Sequence, residues 1–320
     1  MSELVKVGIA GTGAHVPERV LTNEDFEKLV DTSDEWITQR TGIKRRHFVA
    51  EGEATSDLSI AASRKALEMA GVDPADLDLI VLGTLTPDYH LPSCAVLVQD
   101  ALGAKKAGAF DVSSACTGFL TALQTGEAYI ASGRAKRVLV IGAEVLSRFL
   151  DMKDRASCIL FGDGAGAALL MPHGDCGQGE ILRGSTGADG SSYDVIHMRG
   201  GGSKRPPTHE SLDQGDQFIT LRGREVYRFA VTKMADLIEE MLAGYDRDEL
   251  GLVVPHQVNA RIIESAIDRV KIPADKVLVN IDEYGNTSAA TVPIALDEAV
   301  RSGRLEPGKL VVFVAFGAGL

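Results

Sequence analysis

Residues 109–133, AFDVSSACTGFLTALQTGEAYIASG, place a short apolar strand, a turn of small residues and an amphipathic helix in direct succession. One face of the helix pattern is apolar and is formed by Phe119, Leu120, Leu123 and Ile130. Gly133 follows at the position where a left-handed residue commonly ends a helix. The stretch therefore predicts a strand–turn–helix unit with Cys116 at the beginning of the helix.

Short apolar runs recur between amphipathic stretches along the rest of the chain. They are Val5 to Ala10, Leu79 to Leu82, Val138 to Gly142, Leu252 to Val254 and Leu310 to Phe316. Runs of this length that alternate with helical patterns are typical of a largely parallel sheet covered by helices. The sequence therefore predicts an α/β fold.

The chain also repeats one of its patterns at long range. Cys116-Thr117 is followed at an offset of 16 by Ser132-Gly133-Arg134, and Asn286-Thr287 is followed at the same offset by Ser302-Gly303-Arg304. The matched order favours a duplicated domain, with Cys116 and Asn286 at equivalent helix starts. We place the boundary so that residues 1–174 form the N-terminal half and residues 175–320 form the C-terminal half.

Composition and charge exclude several classes of protein. The 320 residues are 45% hydrophobic and 24% charged, as in ordinary globular chains. The net charge of −12 makes nucleic acid an unexpected partner. No segment approaches the roughly 18 uninterrupted apolar residues of a membrane span, and the first ten residues lack a secretory pattern. We expect no membrane association and a cytoplasmic location.

Cysteine and glycine patterns exclude other kinds of site. The four cysteines, Cys94, Cys116, Cys158 and Cys176, have no CxxC spacing, so neither a zinc site nor a disulfide framework is predicted. The glycine-rich run 162–166 lacks the Lys-Ser/Thr of a phosphate-binding loop and predicts close packing or a turn. Residues 189–217, rich in Gly, Ser and Pro, predict a long surface excursion.

Three side chains lie at positions that suit a catalytic role. Cys116 would meet unpaired N–H groups and the positive helix end, which favour a nucleophilic thiolate; a buried structural cysteine is the alternative. His256 follows an apolar strand, where functional groups collect in α/β sheets, although a core histidine also fits. Asn286, at a turn into a helix, is a candidate catalytic amide or a helix cap.

Together, Cys116, His256 and Asn286 resemble the Cys-His-Asn triad of the β-ketoacyl-acyl carrier protein synthase III family, the initiating condensing enzymes of bacterial type II fatty-acid synthesis. The matching segments span essentially the whole chain. They are Asp34-Glu35-Trp36-Ile37, Arg40-Thr41-Gly42-Ile43, Ser114-Ala115-Cys116, Phe161 to Ala165, Pro255-His256-Gln257, Gly285 to Ser288 and Phe316 to Gly319. The resemblance implies the thiolase fold, in which two similar βαβαβ-type halves form five αβαβα layers.

The resemblance implies a decarboxylative Claisen condensation. Cys116 would attack an acyl-CoA, with acetyl-CoA the expected starter, and form an acyl-enzyme. Malonyl-acyl carrier protein would then lose CO₂, and His256 and Asn286 would stabilise the enolate. Backbone N–H groups of Cys116 and Ala318 would form the oxyanion hole. No metal or other cofactor is implied, because acyl-CoA is itself a substrate.

The resemblance also implies binding residues and a homodimer. The CoA site would contain Trp36, Arg40, Thr41, Arg155 and Asn259. The acidic carrier protein would dock on Gln257, Arg228, Arg261 and Arg269. Leu91 would reach across the dimer to close the acyl pocket of the partner subunit. Family members normally continue beyond the final glycine loop, whereas this sequence stops at Leu320, so we expect the last strand to be incomplete.

Other functions share parts of these features. A related acyltransferase, or a starter-specific condensing enzyme of secondary metabolism, would keep Cys116. A cysteine hydrolase needs a cysteine and a histidine base but no donor to an enolate. A non-catalytic partner of a synthase complex would leave Cys116 inert towards acyl-CoA.

Overall fold

Strands and helices alternate through residues 4–319, the part of the chain that the computed structural model describes. The strands are Val7–His15 (β1), Val20–Thr22 (β2), Arg45–His47 (β3), Leu79–Gly83 (β4), Gly108–Val112 (β5), Val138–Glu144 (β6), Gly164–Pro172 (β7), Ile196–Met198 (β8), Ile219–Leu221 (β9), Leu250–Pro255 (β10) and Leu310–Val314 (β11). The α-helices are Asn23–Glu27 (α1), Asp34–Thr41 (α2), Thr55–Ala70 (α3), Cys94–Leu102 (α4), Gly118–Ala131 (α5), Arg155–Cys158 (α6), His173–Cys176 (α7), His209–Asp213 (α8), Gly223–Leu242 (α9), Ala260–Val270 (α10), Ile281–Tyr284 (α11) and Thr291–Arg301 (α12).

The larger sheet has five strands in the order β1-β7-β6-β4-β5. Strand β4 runs parallel to β5 and β6, whereas β7 is antiparallel to both of its neighbours. Every residue of β4 and β6 is buried. Because helices cover both faces of the sheet, these strands are continuous apolar runs rather than alternating patterns. The α/β prediction is confirmed.

Five layers follow from the packing of these elements. Helices α3 and α4 pack on one face of the five-stranded sheet, and α5 and α12 pack on the other. A second sheet of parallel strands β10 and β11 lies beyond α5 and α12, and α9 and α10 cover its outer face. One apolar cluster joins Val140 of the first sheet to Leu252 of the second through Phe119 and Val292 of the central helices. This is the αβαβα arrangement implied by the resemblance.

The central helices α5 and α12 begin in the same unusual way. A single 3₁₀ turn precedes each of them, and its first residue has a left-handed backbone, with φ +45° at Ala115 and +50° at Ser288. This likeness supports a duplication, but it pairs Cys116 with Ala289, so the predicted equivalence of Cys116 and Asn286 is wrong. Helix α5 has 14 residues and α12 has 11. Because the helices differ in length, counting back the same number of residues from the Ser-Gly-Arg that follows each helix does not reach equivalent positions in the two 3₁₀ turns. The boundary between residues 174 and 175 stays a prediction.

The glycine-rich run 162–166 lies where β7 begins and passes close to the second half. A Cβ at Gly166 would lie 2.6 Å from Cβ of Pro293, and a Cβ at Gly162 would lie 2.4 Å from the carbonyl oxygen of Tyr284. Such contacts leave room only for glycine. The prediction of close packing rather than a phosphate-binding loop is therefore confirmed.

Residues 189–217 are mostly exposed, as expected for a surface excursion, but they contain β8 and α8. Strand β8 pairs with β9, and their apolar side chains pack against a cluster around Phe26 and Ile37. Among residues 4–319, every helix is too short or too polar to serve as a membrane span.

Candidate active site

Cys116 lies in the turn between β5 and α5, and a second loop of the chain packs against it. The left-handed conformation of Ala115 bends the backbone sharply there, at a cost of about 1–2 kcal/mol for a residue with a Cβ. A Cβ at Gly317 would lie 2.6 Å from Sγ of Cys116. Any side chain at position 317 would displace the thiol, and no spacing in the sequence points to this role of Gly317.

The thiol of Cys116 is protonated in the free protein. Burial raises the pKa of this thiol to about 11, although hydrogen bonds with the Ser288 hydroxyl and the backbone N–H of Ala318 act in the opposite direction. The prediction that the turn and the helix end favour a thiolate is therefore wrong, because desolvation of the charge outweighs these donors. Nucleophilic attack by Cys116 requires a group that accepts its proton.

His256 follows β10 and is 1% exposed. Its backbone N–H donates to the carbonyl oxygen of Val314 at 2.7 Å, so the end of β11 holds the turn. Burial lowers the pKa of His256 to about 3, and the imidazole is therefore neutral. The Thr291 hydroxyl lies 2.7 Å from Nδ1 and 3.0 Å from the carbonyl oxygen of Ser288, so two acceptors share its one proton; when the hydroxyl donates to Nδ1, the ring proton resides on Nε2. Among the described residues Nε2 is buried with no partner, so it is free to donate to a bound molecule.

Asn286 is 5% exposed, and backbone bonds fix its position. Its N–H donates to the carbonyl oxygen of Leu160 at 2.9 Å, and its carbonyl oxygen accepts from the N–H of Gly162 at 3.0 Å. The side-chain Oδ1 accepts from the backbone N–H of Ser288 at 2.9 Å. This bond identifies the amide oxygen and leaves the NH₂ group to donate into the site.

Ser288 connects all three predicted catalytic residues. Its hydroxyl lies 3.6 Å from Sγ of Cys116, and its backbone N–H binds Asn286. Its carbonyl oxygen lies 3.0 Å from the Thr291 hydroxyl, which also contacts His256. Three separate segments thus bring the triad together. Ser288 ends the matched segment Gly285 to Ser288 and Thr291 follows it, but the sequence assigns neither residue a chemical role.

The final glycine loop also reaches the thiol. The backbone N–H of Ala318 is close enough to the Cys116 thiol to lower its pKa, and the carbonyl oxygen of Gly319 accepts from the N–H of Asp189 at 3.1 Å. The predicted oxyanion donor Ala318 therefore lies beside the nucleophile.

Two of the residues expected at the CoA site flank the tryptophan. The guanidinium carbon of Arg155 is 4.6 Å from the centroid of the Trp36 ring, and that of Arg40 is 5.8 Å away. Arg155 also donates to the carbonyl oxygen of Asp31 at 2.6 Å. Trp36 is half-buried and both arginines are exposed, so the cluster offers planar, cationic surfaces on which a flat ring can stack.

The two other residues expected to bind CoA are occupied within the protein. Thr41 is 3% exposed; its hydroxyl donates to the carbonyl oxygen of Ile37 and accepts from the N–H of Ile43. A direct CoA contact for Thr41 is therefore wrong. Asn259 caps α10 through the N–H of Arg261, and its amide donates to the carbonyl oxygen of Arg40 at 3.0 Å. Asn259 thus fixes the backbone beside Arg40.

The expected carrier-protein residues divide into exposed arginines and one buried amide. Arg228 lies on α9, and Arg261 and Arg269 lie on α10, all exposed; Arg269 is 3.6 Å from Asp236. Gln257 is 1% exposed and bonds through both ends of its amide, to the carbonyl oxygens of Pro255 and Leu278 and to the N–H of Asn280. A surface role for Gln257 is therefore wrong.

The loop that carries Leu91 projects from the molecule. Leu91 is 87% exposed and Tyr89 is 61% exposed, which is unusual for side chains of this size. Strand β5 is the last strand of its sheet, and it ends just before Cys116. Within residues 4–319, no group of three or more His, Cys, Asp or Glu side chains is placed to hold a metal ion.

Comparison with known proteins gives matches along the chain. The family described as 3-oxoacyl-[acyl-carrier-protein] synthase III matches residues 110–190, and the description of its C-terminal region matches residues 241–320. The beta-ketoacyl-[acyl-carrier-protein] synthase III of Caldanaerobacter subterraneus subsp. tengcongensis is 48% identical over 322 residues, covering 100% of this chain and 97% of that protein.

Two solved structures extend the comparison. The 3-oxoacyl-[acyl-carrier-protein] synthase III from Aquifex aeolicus is 44% identical with a TM-score of 0.86, covering 98% of this chain and 97% of that chain. The priming β-ketosynthase of the R1128 polyketide pathway is 35% identical with a TM-score of 0.89, covering 100% of this chain and 95% of that chain.

Proposed function

The chain belongs to the 3-oxoacyl-[acyl-carrier-protein] synthase III family, and from that premise we propose that it condenses an acyl-CoA starter with malonyl-acyl carrier protein, releasing CoA and CO₂ to initiate fatty-acid synthesis. The observation that supports this most strongly is the convergence of Cys116, His256 and Asn286 on Ser288. A nucleophile and two neutral hydrogen-bond donors in one buried site suit a reaction that needs both acyl transfer and a stabilised enolate.

The first half-reaction acylates Cys116. Its sulfur attacks the thioester carbonyl of acyl-CoA, and the developing oxyanion is positioned to accept from the backbone N–H groups of Cys116 and Ala318. Collapse of the tetrahedral intermediate breaks the bond to the CoA sulfur. Acetyl-CoA is the proposed starter, and no cofactor takes part.

The second half-reaction forms the carbon–carbon bond. Malonyl-acyl carrier protein loses CO₂, and the negative charge moves to the oxygen of its thioester. Nε2–H of His256 and the NH₂ of Asn286 donate to that oxygen. The enolate carbon then attacks the acyl carbonyl on Cys116, and the Cys116 thiolate leaves as the 3-oxoacyl product forms.

A starter-specific condensing enzyme of secondary metabolism is the second candidate. This candidate is favoured by the similarity to the R1128 priming β-ketosynthase. The relatives of higher identity are instead named beta-ketoacyl-[acyl-carrier-protein] synthase III. A thioesterase-like hydrolase accounts less well for the site, because hydrolysis of an acyl-enzyme gives the Asn286 amide no enolate to stabilise.

Release of CO₂ tests the proposed function. We expect one CO₂ from malonyl-acyl carrier protein for each CoA released from acetyl-CoA, with a 3-oxoacyl product. Release of free acid without CO₂ would identify a hydrolase. A panel of acyl-CoAs of different length, followed by intact-protein mass, distinguishes acetyl priming from the starter preference of a secondary-metabolic enzyme.

Adenine stacking at Trp36 gives a testable prediction for the CoA site. Trp36→Ala removes the ring that Arg155 and Arg40 flank, and a stacking contact of this kind is worth about 0.5–2 kcal/mol. We expect the KM for acetyl-CoA to rise by roughly tenfold, with kcat little changed. Acetyl-pantetheine, which lacks the adenine, serves as the matched substrate. An equal rise in KM for both substrates would assign Trp36 to the stability of the loop instead.

A basic surface on α9 and α10 gives a prediction for carrier docking. Acyl carrier proteins are acidic, and the exposed Arg228 and Arg261 offer complementary charge; Arg269 contributes less because Asp236 is beside it. Arg261→Glu should raise the KM for malonyl-acyl carrier protein severalfold, and this effect should shrink with added salt, since exposed charges are screened over about 8–10 Å. Priming by acetyl-CoA should be unchanged.

Arg134→Glu is the charge-matched control for the docking surface. Arg134 is exposed just beyond the far end of α5, about 20 Å from the end that bears Cys116 at 1.5 Å per residue. The Arg134→Glu substitution should leave the rates of both half-reactions unchanged. An unaltered KM for the carrier protein in Arg261→Glu refutes this docking surface, and a loss of priming alone assigns Arg261 to the CoA channel.

A cytoplasmic homodimer completes the proposal. The dimer is supported by the position of β5 at the sheet edge and by the exposure of Leu91 and Tyr89. Large apolar side chains in a projecting loop commonly mark an interface. Leu91 is then available to close the acyl pocket of the partner subunit.

A further inference from the structure

Glu144, the last residue of β6, is a buried carboxylate to which the condensation chemistry gives no role. It has no exposed surface. Its oxygens accept from the hydroxyls of Thr86 at 2.7 Å and of Thr84 and Ser288 at 3.3 Å, and from the backbone N–H of Leu85 at 3.2 Å. All of these donors are neutral. A carboxylate held in such a place is costly to ionise, and groups of this kind concentrate at functional sites.

Ser288 joins this carboxylate to the nucleophile. Its Oγ lies 3.3 Å from Oε1 of Glu144 and 3.6 Å from Sγ of Cys116. A hydroxyl has one proton to donate and lone pairs to accept with. When Glu144 is ionised, Ser288 can donate to it and accept the S–H of Cys116 at the same time.

The backbone of Ser288 is a second, independent sign of function. Its φ of +50° is in the left-handed region, which glycine adopts freely and serine does not. A glycine here would relieve the strain but would remove the hydroxyl between Cys116 and Glu144. Strain that surrounding structure maintains at one residue is characteristic of active sites.

We propose that Ser288 and Glu144 form a proton relay that takes the thiol proton of Cys116 during acylation and returns it when the condensation releases the thiolate. Ser288, which touches the reacting sulfur, is the catalytic member of the relay. Glu144 acts through Ser288. This inference rests on the proposed function, because it concerns the acylation of the same cysteine.

The proton transfers balance over the two half-reactions. As Cys116 attacks, its proton moves to Ser288 Oγ and the Ser288 proton moves to Glu144, while the departing CoA thiolate takes a proton from water. Glu144 stays protonated while Cys116 carries the acyl group. When the enolate displaces the Cys116 thiolate, Glu144 returns its proton through Ser288 and regains its charge. The cycle therefore consumes one solvent proton, which leaves on CoA.

Glu144 suits this role better than His256. Burial raises the pKa of Glu144 to about 7, near the value at which a general base works best at neutral pH. Burial lowers the pKa of His256 to about 3, so its imidazole is a far weaker proton acceptor. The titratable side chain facing Glu144 is Cys116, whose pKa its charge helps to raise; the Thr84–Thr86 segment presents only hydroxyl and N–H groups.

Separate measurement of the two half-reactions tests the relay. We compare Glu144→Gln, which keeps the shape but cannot store the proton, with Ser288→Ala, which removes the bridge. Thr84→Val is the matched control, because it removes one hydrogen bond to Glu144 and leaves the bridge. The burst of CoA release from acetyl-CoA reports acylation. Mixing fully acylated enzyme, verified by intact mass, with malonyl-acyl carrier protein reports condensation.

The relay predicts different effects on the two half-reactions. Acylation should slow by about 100-fold in Glu144→Gln and Ser288→Ala, which is the lower end of the range for loss of a general base. Condensation from the acylated form of these two variants should change little. In Thr84→Val, both acylation and condensation should change little. In the unsubstituted protein, acylation should fall as the pH drops through about 7, when Glu144 becomes protonated; Glu144→Gln should lack this fall. The infrared difference spectrum of acylated minus free enzyme should show a carboxylic-acid C=O band that Glu144→Gln loses.

The outcomes separate the relay from the proposed function. Normal acylation in Glu144→Gln or Ser288→Ala overturns the relay, as does an equal loss of both half-reactions, which would mark a structural role. If Glu144→Gln does not fold, the acylation rate of Ser288→Ala and the infrared band of the unsubstituted protein still show whether the relay operates. Failure of the unsubstituted protein to acylate Cys116 at all would instead reject the proposed function.

Discussion

Cys116→Ala should abolish acyl-enzyme formation. Without the sulfur no covalent intermediate forms, and condensation should fall by about 10⁶-fold. The fold should persist, because alanine keeps the Cβ that packs beside Gly317, and the free energy of unfolding should fall by only about 1 kcal/mol. Intact-protein mass after incubation with acetyl-CoA measures the adduct, and thermal unfolding measures the fold.

Cys176→Ala is the matched control for this substitution. Cys176 is also partly accessible, but it lies on the short helix α7, which packs against β1 and β7. Its loss should leave the adduct and the condensation rate unchanged. An acetyl adduct that persists in Cys116→Ala and disappears in Cys176→Ala would contradict the assignment of the nucleophile.

The layered fold was accessible from sequence because its signals are local. The buried runs of β4 and β6 and the apolar face of α5 each follow from the side chains of one segment. The duplication was visible only through motif spacing, which is sensitive to helix length. The spacing therefore favours a duplication but aligns Cys116 with Asn286, whereas the two 3₁₀ turns align Cys116 with Ala289.

The sequence-based predictions that are wrong at the active site concern polar residues whose role depends on burial. Thr41 and Gln257 stand within motifs of the family, but their polar atoms are bonded inside the protein. The charge state of Cys116 depends on desolvation, which a helix start does not reveal. No sequence pattern points to Glu144, because its partner Thr86 is 58 residues away and nothing in the pattern of β6 distinguishes its last carboxylate.

Because of their arrangement, the role of the two enolate donors can be tested separately from the role of the nucleophile. Hydrogen bonds through Ser288 and Thr291 link His256 and Asn286 to Cys116. The neutral donor groups of His256 and Asn286 match the charge that appears when malonyl loses CO₂.

His256→Ala and Asn286→Ala should therefore still accept an acetyl group on Cys116 but lose decarboxylation. Removal of one such donor costs about 10²–10³-fold in rate, and the double variant should fall further. The backbone of Asn286 is held by Leu160 and Gly162, so alanine keeps the turn. Because the pKa of His256 is lowered to about 3, its imidazole stays neutral between pH 5 and 9, and the decarboxylation rate should show no titration of His256 in that range. Acetyl adducts by intact mass and CO₂ release from malonyl-acyl carrier protein measure the two steps. Equal loss of both steps in each folded variant would show that these residues activate the thiol rather than stabilise the enolate.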